Sequence, residues 1–185
     1  MSAGSASETR TLYHYTAPTT SHLGSILQEG RIRLAESNLS FEVRHAGPDV
    51  VWLTDSRDPQ SQEWASGPDD RATGPGFLPP EIKTRAVLTV ELSQDRVHHW
   101  PGWSEEHGID PAVSAALAAT GGDPAAWWVA TAPVSRWDVS ALVIAPFRVG
   151  DQAYPLREFA GGDLRRLFES VGARRALELI GAVKR

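Results

Sequence analysis

The sequence predicts an α+β fold, on three observations. Five short segments alternate apolar and polar residues as strands do, helical patterns stand at the beginning and end of the chain, and the composition supports a sizeable core. The chain has 185 residues, of which 41% are apolar, with seven tryptophans. That length and composition fit one globular domain spanning residues 11 to 185. Residues 1 to 10 (Met-Ser-Ala-Gly-Ser-Ala-Ser-Glu-Thr-Arg) are small and polar and read as a disordered tail.

The strands are expected at Leu12 to Tyr15, Val50 to Thr54, Ala86 to Leu92, Trp127 to Thr131 and Val139 to Ala145, each bounded by Pro, Gly, Asp or Ser. A first helix is expected over Thr20 to Glu29, with Leu23, Ile26 and Leu27 on one face and Gly30 as its stop. A second runs from Pro111 to Thr120, with Asp110 as N-cap, proline in the first turn and Gly121 beyond the end. The third starts near Asp163, where Leu164, Leu167, Phe168 and Val171 recur at helical spacing and Gly172 offers a break. Residues 66 to 81 are crowded with glycine and proline and predict a long loop of the kind that often carries function. Trp127 and Trp128 alternate across their strand, so one faces the core, whereas Trp100, Pro101, Gly102 and Trp103 suggest an aromatic turn followed by solvated Glu105, Glu106 and His107.

Charge is unevenly spread. Residues 1 to 156 hold 11 basic and 19 acidic side chains, a net of −8, and residues 157 to 185 hold 7 and 4, a net of +3. The segment from 160 to 185 is thus a basic helical end, whose Arg165, Arg166, Arg174, Arg175, Lys184 and Arg185 either form a solvated face or dock on an acidic partner or phosphates. Cysteine is absent, which excludes disulfides and thiolate metal sites. No cationic leader precedes an apolar stretch and no run of about 18 apolar residues exists, so the expectation is a cytoplasmic protein with no membrane span.

Several chemistries are disfavoured by missing motifs. The six histidines show no His-Glu-x-x-His spacing, and His98 and His99 point to opposite sides of a strand, so no metal is assigned. There is no Gly-x-Ser-x-Gly elbow, no Gly-x-Gly-x-x-Gly and no phosphate-binding Gly-x-x-x-x-Gly-Lys. What stands out is Leu12-Tyr13-His14-Tyr15-Thr16, in which His14 and Thr16 share one strand face between two tyrosines. A second apolar strand, Val50-Val51-Trp52-Leu53-Thr54, has Trp52 and Thr54 on one face, and Gln60-Ser61-Gln62-Glu63-Trp64-Ala65 follows it.

This combination resembles the ADP-ribosyltransferase fold of the diphtheria-toxin-like branch, over roughly residues 11 to 95. Its nearest pattern is that of the small rifamycin-modifying transferases, in which His-x-Thr and a helix precede an aromatic-x-Thr strand and a Trp-Ala helix. The DNA-modifying toxins of toxin-antitoxin pairs are a more distant comparison. The resemblance implies a split, largely antiparallel β-sheet that clasps NAD as substrate, with the nicotinamide end at the join between its halves. His14 would bond the nicotinamide ribose with Thr16 beside it, and Trp52, Leu53 and Thr54 would approach across the join. Tyr13, Tyr15, Trp52 and Trp64 would supply aromatic walls.

Cleavage of a nicotinamide–ribose bond passes through an oxocarbenium-like transition state, so it needs aligned aromatics and a negative or dipolar group near the ribose. A neutral imidazole accepts one hydrogen bond and donates another, which suits His14 to orientation rather than proton transfer. The family's acid has no clear Glu-x-Glu here. Glu91 and Asp95 close the third strand and Asp138 precedes Val139 to Ala145; of the three, Asp138 is favoured. The expected activity is transfer of ADP-ribose to a nucleic acid, small molecule or protein acceptor; the alternative is a non-catalytic module that binds a nucleotide or partner on the same scaffold.

Overall fold

The structure, a computed structural model, describes residues 8–34, 49–59, 80–112, 115, 122–149, 151–170, 175–176 and 178. Strands form where β-branched and aromatic residues cluster. They are β1 (Thr9–Thr16), β2 (Arg31–Ile32), β3 (Val51–Thr54), β4 (Ala86–Ser93), β5 (Val97–His99), β6 (Trp127–Ala130), β7 (Val134–Ser135), β8 (Val139–Ile144), β9 (Phe147–Val149), β10 (Gln152–Tyr154) and β11 (Arg157–Ala160). The helices are α1 (Leu23–Glu29), α2 (Pro80–Lys83), α3 (Trp100–Glu106) and α4 (Gly161–Glu169). Seven strands make one sheet in the order β11-β8-β4-β1-β3-β6-β5, and every pairing in it is antiparallel. The architecture is α+β.

The joins within that sheet differ in length. β1 and β4 pair along eight residues, from Thr9 opposite Ser93 to Thr16 opposite Ala86. That full ladder carries β1 past the Leu12 at which alternation predicts its start. Between β1 and β3, by contrast, one register pair holds, Tyr13 opposite Thr54. The sheet therefore narrows between β11-β8-β4-β1 and β3-β6-β5.

Each face of the sheet carries a core. One face of the whole sheet presents Leu12, Leu53, Leu88, Val90, Val97, Leu142 and Ile144 to Leu23, Ile26 and Leu27 of α1 and to Leu164, Leu167 and Phe168 of α4. A fully buried leucine such as Leu88 stabilises the fold by about 1.5–3 kcal/mol. On the opposite face, β3, β5 and β6 are covered by α3 through Val50, Trp100, Trp103, Ile109, Trp127 and Val129, with Trp52 packed at the edge. The Trp52 and Trp100 ring centroids are 4.5 Å apart, and Trp127 meets Trp52 edge-on at 6.2 Å.

Several expectations need correction. Trp100 to Trp103 is not a turn but the start of α3: Pro101 sits in the first turn, where its missing N–H is harmless, and the i, i+3 spacing turns both indoles onto the sheet. Glu105 and Glu106 end that helix, with exposed His107 as its C-cap. α1 begins at Leu23 rather than Thr20, because Thr19 and Ser21 bond the His22 ring at 2.9 and 3.0 Å and hold a turn that competes with the helix. α4 begins at Gly161, ahead of Asp163, and stops at Glu169, after which Ser170 is extended. Asp110 does cap, accepting a bond from the Ala112 N–H at 2.8 Å, but most of the helix expected after it lies outside the described residues, as do Trp64 and the greater part of the loop from 66 to 81. No helix of the described residues is long and apolar enough to cross a membrane.

Candidate functional site

His14 lies where the sheet is narrowest. Because β1 and β3 share one register pair, the Trp52 carbonyl is reached by a side chain: the His14 Nδ1–H donates to it at 2.9 Å. A carbonyl can only accept, so the proton is on Nδ1 and Nε2 carries a lone pair. Desolvation holds the imidazole pKa below its ordinary value, against a smaller opposing effect of the same carbonyl, and His14 is thus neutral near pH 7. The residue remains partly exposed. A positioned, neutral acceptor at a sheet join can take a hydrogen bond from a hydroxyl group.

Register decides what stands around it. Tyr13 is opposite Thr54, so Tyr13, Tyr15, Trp52 and Thr54 share one face of the sheet while His14 and Thr16 occupy the other. The expected single cleft lined by His14, Thr16, Trp52 and Thr54 side chains is therefore not what forms. Trp52 reaches His14 through its backbone, and its ring belongs to the α3 core. Leu53 does share the His14 face, within the main core. Thr16 is buried opposite Ala86.

On the far face, the segment after β3 is strapped to the two tyrosines. The Arg57 Nε–H donates to the Tyr13 hydroxyl at 2.7 Å, and the Tyr15 hydroxyl donates to the Ser56 carbonyl at 3.3 Å. Burial, reinforced by Asp58, pushes the Tyr15 pKa up to about 12, which keeps the phenol a donor. Thr54 accepts from the Ser56 N–H at 3.1 Å and so closes the same turn.

The chain matches no protein-family model, no curated protein and no solved structure.

The acids are placed by the same ladders. Asp138 stands in a 3-10 turn, Arg136–Asp138, where its carboxylate takes both Arg96 guanidinium nitrogens at 2.8 and 2.9 Å and the Ser135 N–H at 2.9 Å. Those bonds hold the turn and a neighbouring strand end together, which is a structural task. Glu91 is exposed, opposite Thr11 on the Tyr13 face, and so projects away from His14. Asp95 is exposed in the 3-10 turn Gln94–Arg96. None of the three stands on the His14 face of β1 or β3.

The structure adds residues to the His14 face. The Arg10 guanidinium lies 4.1 Å over the Trp128 ring, the Trp128 Nε1–H donates to Asp55 at 3.1 Å, and His99 packs on the same indole at 5.0 Å. Arg10 is four residues before His14, about 13 Å along the strand and on the same face. Extending the alternation back from His14 would have found it. Trp128 and Asp55 join it only through the β3–β6 pairing, which no local pattern encodes.

Proposed function

We propose that the chain is an NAD-dependent mono-ADP-ribosyltransferase-like protein that binds NAD at the β1–β3 join and transfers ADP-ribose to an acceptor with release of nicotinamide. The observation that carries this reading is the His14 imidazole, neutral and fixed by the Trp52 carbonyl at the narrowest join of an antiparallel sheet. Its Nε2 lone pair would accept the hydrogen of a ribose hydroxyl and so orient the sugar. Orientation of this kind lowers the barrier by prepaying entropy, and it needs no proton transfer by the imidazole. Arg10, stacked on Trp128 of the same face, supplies a cation for a diphosphate.

A second reading, a module that binds a nucleotide without turning it over, is favoured by the acids. Asp138 is committed to Arg96 and Ser135, and Glu91 projects from the opposite face. One experiment separates the readings: incubate the protein and its His14→Ala variant with NAD, and measure both thermal stabilisation and nicotinamide release. Release that falls at least tenfold in the variant supports transfer. Stabilisation by NAD that the variant loses, without release from either protein, supports the binding module. No stabilisation and no release from the wild type would remove NAD from both readings.

A further inference from the structure

The 3-10 turn Arg136–Asp138 and the start of α4 enclose a groove of about 180 Å³, lined by Arg136, Trp137, Ser140 and Arg165 above the apolar floor of Val139, Leu164 and Phe168. Trp137 is 69% exposed, an unusual position for an indole that packs on nothing else in the core. Its ring is nevertheless organised, because the Arg136 guanidinium lies 4.5 Å over it. The turn beneath is rigid: Ser135 and Asp138 form a reciprocal capping box, and Arg96 clamps the same carboxylate. Arg136 is also held from behind, since its N–H donates to the Gly30 carbonyl at 2.8 Å and its Cδ would stand 3.2 Å from any Cβ at position 30.

The far wall is α4, whose N-cap Ala160 makes no side-chain bond to the helix, and where Gly161 and Gly162 leave open space. Arg165 projects from this wall with no acid paired to it among the described residues, whereas the nearby Asp163 is neutralised by Arg166 and Asp138 by Arg96. Among the described residues, no carboxylate lines the groove. An exposed indole, two guanidinium groups and an apolar floor together complement one kind of ligand, a planar ring that carries an anionic group.

The geometry points to a nucleotide-binding groove, in which a nucleobase stacks on Trp137 and its phosphate is held by Arg136 and Arg165. At about 180 Å³ the groove is smaller than the ~300–1,000 Å³ of a site that encloses a whole drug-sized ligand, so it takes one nucleotide unit and leaves the rest in solvent. The unit comes either from a free mononucleotide or from a single strand of nucleic acid. Val139 pairs with Val90, which pairs with Leu12, so the groove floor is two strands, about 10 Å, from β1 and apart from His14.

The test uses fluorescence anisotropy of a short labelled oligothymidylate, with AMP and inorganic phosphate as competitors, on the wild type and on Trp137→Ala, Trp137→Tyr and Arg165→Glu. Trp137 and Arg165 are exposed, so circular dichroism should report folded variants. The expected result is binding that weakens about tenfold in Trp137→Ala and in Arg165→Glu, persists in Trp137→Tyr, and is not displaced by inorganic phosphate. Displacement by AMP assigns the site to free nucleotides; oligothymidylate binding that AMP leaves intact, with the same dependence on Trp137, assigns it to strands, and both support the groove. Displacement of the oligothymidylate by inorganic phosphate alone, binding indifferent to Trp137 and Arg165, or no binding at all would overturn it. Trp137 and Arg165 line the groove and stand apart from His14 and the β1–β3 join, so a dependence on these two residues is independent of the NAD reading.

Discussion

His14 couples its role at the join to the stability of the protein. Its pKa in the folded state lies below the ordinary value of 6.5, chiefly through desolvation, so between those two pKa values the unfolded chain takes up a proton that the folded chain refuses. Stability is complete above about pH 6.5 and falls as the pH drops through that window, then levels once the folded imidazole also protonates. His22 contributes with the same sign, from desolvation and from Lys83. The His14→Gln variant should therefore show a shallower loss of stability than the wild type when urea midpoints are compared between roughly pH 5 and 8. His14→Gln with His22→Gln should be shallower still. An unchanged slope in His14→Gln would mean that the join does not hold a neutral imidazole.

The 3-10 turn before β8 shows how an element can resemble a site in sequence and serve the fold in space. Asp138 precedes an apolar strand, as a family acid would, yet three hydrogen bonds tie it to Arg96 and Ser135. Asp138→Ala should lower stability by about 2 kcal/mol, through loss of a cap and of charge-assisted bonds, while the thermal stabilisation by NAD proposed above is retained. Equal stability with NAD stabilisation abolished would return Asp138 to the binding site. The strands of β4, β6 and β8 were legible because apolar residues alternate or run together there, and a core tryptophan at 127 or 128 followed from the same rule, though not which of the two. β2, β7, β9 and β10 are two or three residues long and β11 is polar and mostly exposed, so none carries such a pattern. Which face Trp52 shares with β1 was not legible either. A one-residue change of register exchanges the faces, and the register between strands 38 residues apart is set by the assembled sheet.

At the scale of the molecule, the narrow β1–β3 join divides the response to damage. The core under α3 draws on β3 and β6, while the core under α1 and α4 extends along the whole sheet. Trp100 is fully buried in the former, tilted against Trp52 with centroids 4.5 Å apart and 5.8 Å from Trp103. Trp100→Ala should cost about 3–5 kcal/mol, the range for deleting a large buried aromatic. Its effect should also be local first. β1 and β4 keep an eight-residue ladder that does not involve Trp100, whereas β5 is an edge strand of three residues that leads directly into α3. Native-state hydrogen exchange on Trp100→Ala should thus show protection lost at β5 and β6 under conditions in which β4 and β8 keep theirs. The His14–Trp52 bond bridges the boundary between those two responses, so on the proposal that NAD binds at the join, NAD should restore part of the protection at β3 and β6. Uniform loss across all seven strands would show instead that one register pair is enough to make the sheet a single cooperative unit.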